Sequence, residues 1–215
     1  MKHTFAAGVA GIAALLLAGT AMSGEAKIFE TKSAINNLST VMVDGGKARD
    51  LTVGLGSGAY RRPGDPANMF YAVSDRGPNF VCGDVETVLG VSEDAVCHGN
   101  KVRVYPTPDY SPSIYTIFLG DNGTFDIKDV ITIKDQNGIP LTGLTNKLTV
   151  AKTEKPVDAN GNALEQSVSS IDAEGIIRLT DGSYWIGEEN GPSVLHGHRT
   201  PCSSWLGKRL RRCCL

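Results

Sequence analysis

Acidic residues cluster late in the sequence, at the ends of two segments with the composition of β-strands. Asp172 and Glu174 lie at the start of the first segment, and Glu188 and Glu189 follow the second. An Asp-Gly pair at 181–182 separates the segments, and such a pair is a strong signal for a tight β-hairpin. Antiparallel pairing brings the start of one strand beside the end of the other. The sequence therefore predicts four carboxylates at one end of one hairpin.

A second copy of this arrangement lies earlier in the sequence. The stretch 70–79 (FYAVSDRGPN) aligns with 184–193 (YWIGEENGPS), and 58–60 (GAY) aligns with 175–177 (GII). Both copies have an aromatic-led strand followed by an acid and a Gly-Pro pair, and in the first copy the acid is Asp75. Repeated strand pairs that end in polar residues are typical of a β-propeller. Chance similarity also produces a repeat of only two copies, so both interpretations remain open.

Carboxylates carried on turns are hard oxygen ligands, which suit Ca²⁺ or Mg²⁺ rather than zinc. A bound divalent cation lowers the pKa of a water molecule that then attacks phosphorus or a carbonyl carbon. An arginine can hold an anionic group through two hydrogen bonds, so Arg76 is a candidate for binding an anionic substrate group. The expected metal ligands are Asp75, Asp172, Glu174, Glu188 and Glu189, and the candidate catalytic residues are Glu174, Glu188 and Arg76.

Each of these residues also has an ordinary structural interpretation. A carboxylate that follows a strand often caps a turn, and Arg76 is well placed to pair with a neighbouring acid. A covalent serine mechanism finds less support, because the sequence has no Gly-x-Ser-x-Gly nucleophile motif. Two histidines, His196 and His198, lie at the edge of an unusual C-terminal tail, and His98 lies in an inserted loop. Glycine-rich nucleotide-binding loops are absent.

The composition favours a single β-rich domain. The 215 residues are 41% hydrophobic and 20% charged, with 25 glycines and few helical periodicities. Strand-like runs rich in β-branched or aromatic residues lie at 51–55, 69–73, 101–104, 114–119 and 130–133. Residues 135–168 are polar and predict a long surface loop. Its Asp/Asn run at 158–162 lacks the spaced acids of a calcium-binding EF-hand, which favours a solvated turn.

The two ends of the chain differ from its body. Residues 1–23 have the basic start, apolar run and small residues of a signal peptide, and the run is short of the roughly 20 residues that span a membrane. We expect cleavage, an exported protein in the periplasm or beyond, and no membrane span afterwards. Residues 24–196 form the expected domain. The tail, 197–215, is basic and rich in cysteine, and we interpret it as an aberrant or truncated end rather than a module for nucleic acid.

Two cysteines bound the insertion that follows the first acid-bearing strand. Cys82 and Cys97 are expected to form a disulfide, because an exported protein passes through an oxidising compartment. Two unpaired thiols are the alternative. A metal site is less well supported, because only His98 is nearby and no Cys-x-x-Cys spacing occurs.

These motifs together resemble a known family, the phytase-like domain, usually described as esterase-like activity of phytase. The resemblance is carried by 57–59, 70–79, 172–176, 181–185 and 188–193, and it covers about residues 28–196, the front portion of that domain. It implies an all-β fold, a β-propeller that this chain would leave incomplete at its C-terminus. It also implies export from bacterial cells and metal-dependent hydrolysis of a small anionic or ester substrate, a phosphoester or related ester.

Two hypotheses for the function remain. The first is an exported hydrolase that uses Ca²⁺ or another divalent cation such as Mg²⁺, inactive if the truncated chain cannot close its ring. The second is a non-catalytic β-propeller that binds a ligand or a protein partner, a use that the fold supports readily. The sequence does not indicate an oligomeric state.

Overall fold

The computed structural model describes residues 26–32, 37–43, 45, 48–146, 154–191, 193–199 and 205–211, with 198, 199 and 205–211 described through their backbone only. The expected signal peptide and parts of the expected tail lie outside these residues. Within the described part of the chain, no helix has the length and apolar character needed to cross a membrane.

β-strands dominate the described residues, which confirms the all-β expectation. The strands are β1 (Asn37–Val41), β2 (Arg49–Thr52), β3 (Leu55–Tyr60), β4 (Met69–Ser74), β5 (Phe80–Val81), β6 (Arg103–Val104), β7 (Ser113–Leu119), β8 (Phe125–Lys134), β9 (Pro156–Val157), β10 (Ala173–Arg178), β11 (Tyr184–Glu188), β12 (Ser193–Arg199) and β13 (Trp205–Arg211). The insertion between the two cysteines, expected to be a loop, forms a 3₁₀ turn (Cys82–Asp84) and two short helices, α1 (Val85–Leu89) and α2 (Glu93–Cys97).

The largest sheet has eight strands in the order β10-β11-β12-β13-β8-β7-β4-β3. It is built from two antiparallel meanders of four strands each. We call β3, β4, β7 and β8 the first sheet unit, and β10 to β13 the second sheet unit. A short parallel pairing of β13 with β8, Trp205 with Ile133 and Leu206 with Lys134, joins the units. The sheets of the described residues are open, and none closes on itself.

The internal repeat predicted from the sequence is structural. Gly58 in β3 pairs with Val73 in β4, and the aligned residue Gly175 in β10 pairs with Gly187 in β11. Both hairpins also have a register shift immediately before that glycine. The aligned stretches therefore form the first two strands of the two sheet units, position by position.

The main core lies between the two sheet units. Tyr71, Val73 and Ile114 of the first unit pack with Ile176 and Ile186 of the second, and all five are buried. The backbones also approach closely, since a Cβ atom on Gly58 would lie 2.7 Å from the Cα of Gly175. This shared core holds the ends of β4 and β10 next to each other, which positions the acids that flank them.

A second core lies under the small sheet of β5, β6 and β9. Val85, Leu89 and Val104 are fully buried there. The predicted disulfide between Cys82 and Cys97 is confirmed, with a Cα–Cα distance of 6.1 Å. In the chain-entropy model a crosslink over a loop of this length contributes about 3 kcal/mol.

The second sheet unit extends past the expected end of the domain. The strand β12 runs through Arg199, beyond the expected boundary at residue 196, and β13 lies inside the expected tail. The two strands pair over seven residue pairs, from Ser193–Arg211 to Arg199–Trp205. Part of the expected tail therefore completes the four strands of the second sheet unit.

Candidate functional site

The predicted hairpin is formed by β10 and β11, as the Asp-Gly pair indicated. Gly182 has φ +85°, a left-handed conformation that glycine adopts without strain. The Asp181 carboxylate accepts hydrogen bonds from the backbone N–H (2.9 Å) and hydroxyl (2.7 Å) of Ser183. Asp172 and Glu174 at the start of the hairpin thus lie next to Glu188 and Glu189 at its end, as expected.

The loop that follows β4 carries Asp75 and Arg76. Its backbone passes close to neighbouring segments, since a Cβ atom on Gly143 would overlap the carbonyl group of Arg76. Gly77 has φ +90°, and the ring of Tyr110 fills the space where its side chain would lie. Because positions 77 and 143 are glycines, the loop packs closely against the segments that carry Tyr110 and Gly143. This packing orients Asp75.

Three acids from the two sheet units meet at the junction between the units. Asp75 lies at the end of β4, and Asp172 and Glu174 lie at the start of β10; one carboxylate oxygen from each lies within 4.8 Å of the others. Asp172 is buried, Asp75 is half-buried and Glu174 is exposed. This grouping is open to solvent on the Glu174 side, and its oxygens match the ligands that hard divalent cations prefer.

The environment of Asp172 changes its acidity. Burial raises the pKa of this carboxyl to about 7, although the guanidinium of Arg76 lowers it. A hydrogen bond with Asp75, and the negative charges of Asp75 and Glu174, add to the increase. In the absence of a cation, Asp172 therefore holds a proton up to near-neutral pH, as expected for carboxylates packed against each other.

Arg76 is held in a network of hydrogen bonds and ion pairs. Its guanidinium lies 3.1 Å from Glu154 and 3.5 Å from Asp172. The Glu154 carboxylate also accepts hydrogen bonds from Arg103 (2.9 Å) and from the Tyr105 hydroxyl (3.2 Å). Burial would raise the pKa of Glu154, but the hydrogen bonds and charges of Arg103 and Arg76 outweigh it and hold that pKa below its ordinary value. Arg76 is thus oriented by carboxylates on two sides.

Glu188 is buried, and its carboxylate binds the backbone around it. Its oxygens accept hydrogen bonds from the backbone N–H of Gly191 (2.9 and 3.0 Å) and from the Ser193 hydroxyl (3.2 Å). The backbone N–H of Asp172 lies 3.4 Å from the same carboxylate. Glu188 therefore joins the end of β11 to the start of β12 and to the start of the hairpin, and it lies outside the group of three acids.

The repeat explains this position. Glu188 aligns with Ser74, whose hydroxyl oxygen accepts a hydrogen bond from the backbone N–H of Ser113 at the start of β7. In each sheet unit, then, this residue joins the second strand to the third. The residue that aligns with Asp75 is Glu189, which is exposed. Glu189 borders an open groove of about 380 Å³ that is also lined by Glu174, Gly175, Gly187, Glu188, Ser193 and Val194.

A serine and a histidine meet in the second sheet unit, which the sequence did not predict. The Nε2 atom of His196 lies 3.1 Å from the hydroxyl oxygen of Ser183. The acid next to them, Asp181, binds the serine rather than the histidine, and Ser183 is 3% exposed. This arrangement stabilises the hairpin turn and lacks the order and access of a catalytic triad. Of the three histidines weighed in the sequence, His196 contacts a serine, and the side chain of His198 lies outside the described residues.

The polar loop at 135–168 contains one feature that the sequence predicted and one that it did not. Asp158 accepts hydrogen bonds from the backbone N–H groups of Asn160 and Asn162, so this stretch forms a turn, as predicted. Glu154, which organises the arginines, lies in the same loop and was missed. Its only signal in the sequence is a single acid among polar residues, because the arginines it binds lie 78 and 51 residues away.

Comparison with known proteins bears on the resemblance noted from the sequence. A family model described as Phytase-like, esterase-like activity of phytase, matches residues 52–201. No curated protein and no solved structure matches the chain. The matched region contains both sheet units up to the end of β12, the disulfide and the three acids. Because the match extends over more than half of the chain, the chain belongs to the phytase-like family.

Proposed function

We propose that this protein is a metal-dependent hydrolase of phosphoesters or related esters, with Ca²⁺ or another divalent cation such as Mg²⁺ as its cofactor. The observation that carries the proposal is the meeting of Asp75 with Asp172 and Glu174, which come from different sheet units. Membership of the phytase-like family supports hydrolysis as the reaction. The substrate is then a small anionic or ester compound.

The three acids fit such a cation chemically. They offer hard carboxylate oxygens within 4.8 Å of one another, without the thiolate or imidazole ligands typical of zinc. A bound cation would lower the pKa of a water molecule and neutralise charge on the ester. Asp75 and Asp172 are the less exposed members, and we assign them to holding the cation. Glu174 is exposed, and we assign it a shared role as ligand and as acceptor of the proton from the attacking water.

The remaining candidates have supporting roles in this proposal. Arg76 orients Asp172 through their 3.5 Å contact, because its guanidinium is also bound by Glu154. Glu188 positions the hairpin through its bonds to Gly191 and Ser193, rather than touching the substrate. Glu189 stays a predicted ligand on the rim of the groove.

The fold and the location of the protein form part of the proposal. Two aligned meanders that pack through opposite faces around a shared core are what two successive blades of a β-propeller would present. The disulfide between Cys82 and Cys97 is consistent with an oxidising compartment, a periplasm or the outside of the cell.

The test is hydrolysis of chromogenic phosphate and acetate esters by the purified protein, with Ca²⁺, with Mg²⁺ and with a chelator. We expect cation-dependent turnover that falls at least a hundredfold in Glu174→Gln, because loss of a general base typically costs 10²- to 10⁴-fold. Glu165→Gln is the matched control, since Glu165 is an exposed acid outside the site.

Two results would contradict the proposal. One is turnover that persists in the chelator, which would remove the cation from the reaction. The other is a cation-induced rise in melting temperature without turnover of any ester. That second result would instead favour the non-catalytic ligand-binding protein.

A further inference from the structure

The second sheet unit covers one face of the first sheet unit, and the repeat shows which face of the second unit corresponds to it. The covered face of the first unit carries Gly58, Tyr60, Tyr71, Val73 and Ile114. The strand registers make the corresponding residues of the second unit Gly175, Ile177, Trp185, Gly187 and Val194. We call this second set the free face.

The free face is open where the corresponding face of the first unit is covered. A Cβ atom on Gly58 would lie 2.7 Å from Gly175, whereas one on Gly175 would have no atom within 4 Å. Ile177 is 48% exposed. The groove of about 380 Å³ runs over Gly175, Gly187 and Val194 and is also lined by the acids Glu174, Glu188 and Glu189. A sheet face that carries Ile177, Trp185 and Val194, with acids along its groove, is therefore left without a partner among the described residues.

The first sheet unit presents the complementary surface on its other side. Ile176, Tyr184 and Ile186 are the residues that the second unit packs against the first unit. They align with Ala59, Phe70 and Ala72, which line an apolar groove of about 350 Å³ together with Phe29, Leu55, Gly56, Ile117, Leu119 and Phe125. The strands β1 and β2 contact this side near Tyr115 and Ile127, and Ala59 remains exposed. We call this surface the apolar groove of the first unit.

We propose that the free face binds the apolar groove of the first unit in a second copy of this chain. The proposed contact between copies follows the contact that the two sheet units make within one chain. There, Tyr71 and Tyr184 meet edge to face with ring centroids 5.9 Å apart, and the Arg178 guanidinium lies 4.5 Å from the centre of the Tyr71 ring.

The residues that would reproduce this contact between copies are present at the aligned positions. Trp185 takes the place of Tyr71, and Phe70 of the second copy takes the place of Tyr184. Arg61 of the second copy aligns with Arg178, and its side chain is exposed. The interface therefore joins an aromatic pair to a cation–π contact, a combination common at the centres of protein interfaces.

The two surfaces are different, so the association is head to tail. Each copy that binds through its free face still offers its own apolar groove, and such contacts extend to rings or open chains instead of stopping at a dimer. Self-association should therefore increase with protein concentration beyond two copies.

The test uses one substitution on each surface. Ile177→Glu places a charge on the free face, and Ala59→Glu places one in the apolar groove; both positions are solvent-exposed, so the fold tolerates them. Sedimentation velocity over a range of concentrations measures association. Val168→Glu is the matched control, because Val168 is an exposed apolar residue on neither surface.

We expect the unsubstituted protein and Val168→Glu to form assemblies larger than a dimer. Ile177→Glu and Ala59→Glu should each stay monomeric alone, and their mixture should form a one-to-one complex, because each variant retains the surface that the other lacks. That complex would also demonstrate that both variants are folded. A monomeric unsubstituted protein, or variants that associate alone as well as the control does, would overturn the proposal.

Discussion

At the scale of single residues, the acidity of the carboxyl groups in the site depends on which charged groups lie beside them. Asp172 has two neighbouring acids and one guanidinium, and burial raises its pKa to about 7. Glu154 has the opposite environment, with two arginines around one carboxylate, and its pKa is lowered. Arg76 therefore offsets negative charge on the Asp172 side of the acidic group, and the Glu174 side is open to solvent.

The metal-free protein should lose stability as the pH rises towards neutrality, because of Asp172. The folded protein keeps a proton on this carboxyl up to about pH 7, whereas the unfolded chain releases it near the ordinary pKa of 3.8. Between these values the folded state binds more protons, so the free energy of unfolding falls as the pH rises, and the fall ends above about pH 7. In a chelator, the melting temperature of the unsubstituted protein should drop by a few degrees as the pH rises to about 7. The Asp172→Asn variant should lack this drop. Equal pH slopes in both proteins would contradict this.

Glu154→Gln should destabilise the protein by about 1–3 kcal/mol, because it removes the negative charge that Arg76 and Arg103 share. Urea unfolding measures the change. In the control Glu165→Gln the acid is exposed and we expect a change within about 0.5 kcal/mol. If the two substitutions have the same effect, Glu154 is not the partner that holds the arginines.

At the scale of the strands, the contact between β3 and β10 decides how closely the two sheet units approach. Gly58 and Gly175 occupy the same position in the repeat, yet only Gly58 lies against backbone. A methyl group added at Gly58 therefore tests the close contact between the units, and one added at Gly175 is the control for replacing a glycine at the same position of the repeat.

Gly58→Ala should cost more than 1 kcal/mol, because its Cβ atom would lie 2.7 Å from the Cα of Gly175 and backbone atoms cannot move aside cheaply. Gly175→Ala, at the aligned position, has open space around its Cβ atom and should be nearly neutral. Chemical unfolding of the two variants at low protein concentration measures the difference. Similar losses in both would mean that the close approach does not limit the packing of the units.

The strands were largely predictable from the sequence, and the site was predictable in part. The Asp-Gly pair and the 70–79 repeat predicted the hairpin and its partner correctly because turn chemistry and strand alternation are local signals. Five acids were expected to meet as metal ligands, and three of them, Asp75, Asp172 and Glu174, lie together. The position of Glu188 was not predictable, because its partners are backbone N–H groups. Glu154 was missed because its partners come from distant segments. The helices of the insertion are too short to have a periodicity.

At the scale of the whole molecule, the two sheet units share one core. Ile186 of the second unit and Val73 of the first are both fully buried in it. The first unit also has a smaller core of its own on its other face, around Tyr115 and Ile127. The second core, with the disulfide, lies apart under the small sheet. We therefore expect the two units to unfold together.

Ile186→Ala should lower the free energy of unfolding by about 2–5 kcal/mol, the usual cost of a large-to-small change in a core. Because the core is shared, amide hydrogen exchange should speed up in β4 as well as in β11. Ile139→Ala, at a position 59% exposed, is the control and should leave both strands unchanged. Faster exchange confined to β11 would show that the units are independent.

The candidate metal centre takes Asp75 from one sheet unit and Asp172 and Glu174 from the other. Neither sheet unit has the complete set of acids, so a cation bound there would link the two units. Its binding energy is then added to the cohesion of the units, and whatever separates the units, whether heat, a proteolytic nick or a mutation, also releases the ion. The presence of the bound cation would therefore report that the two halves are correctly assembled.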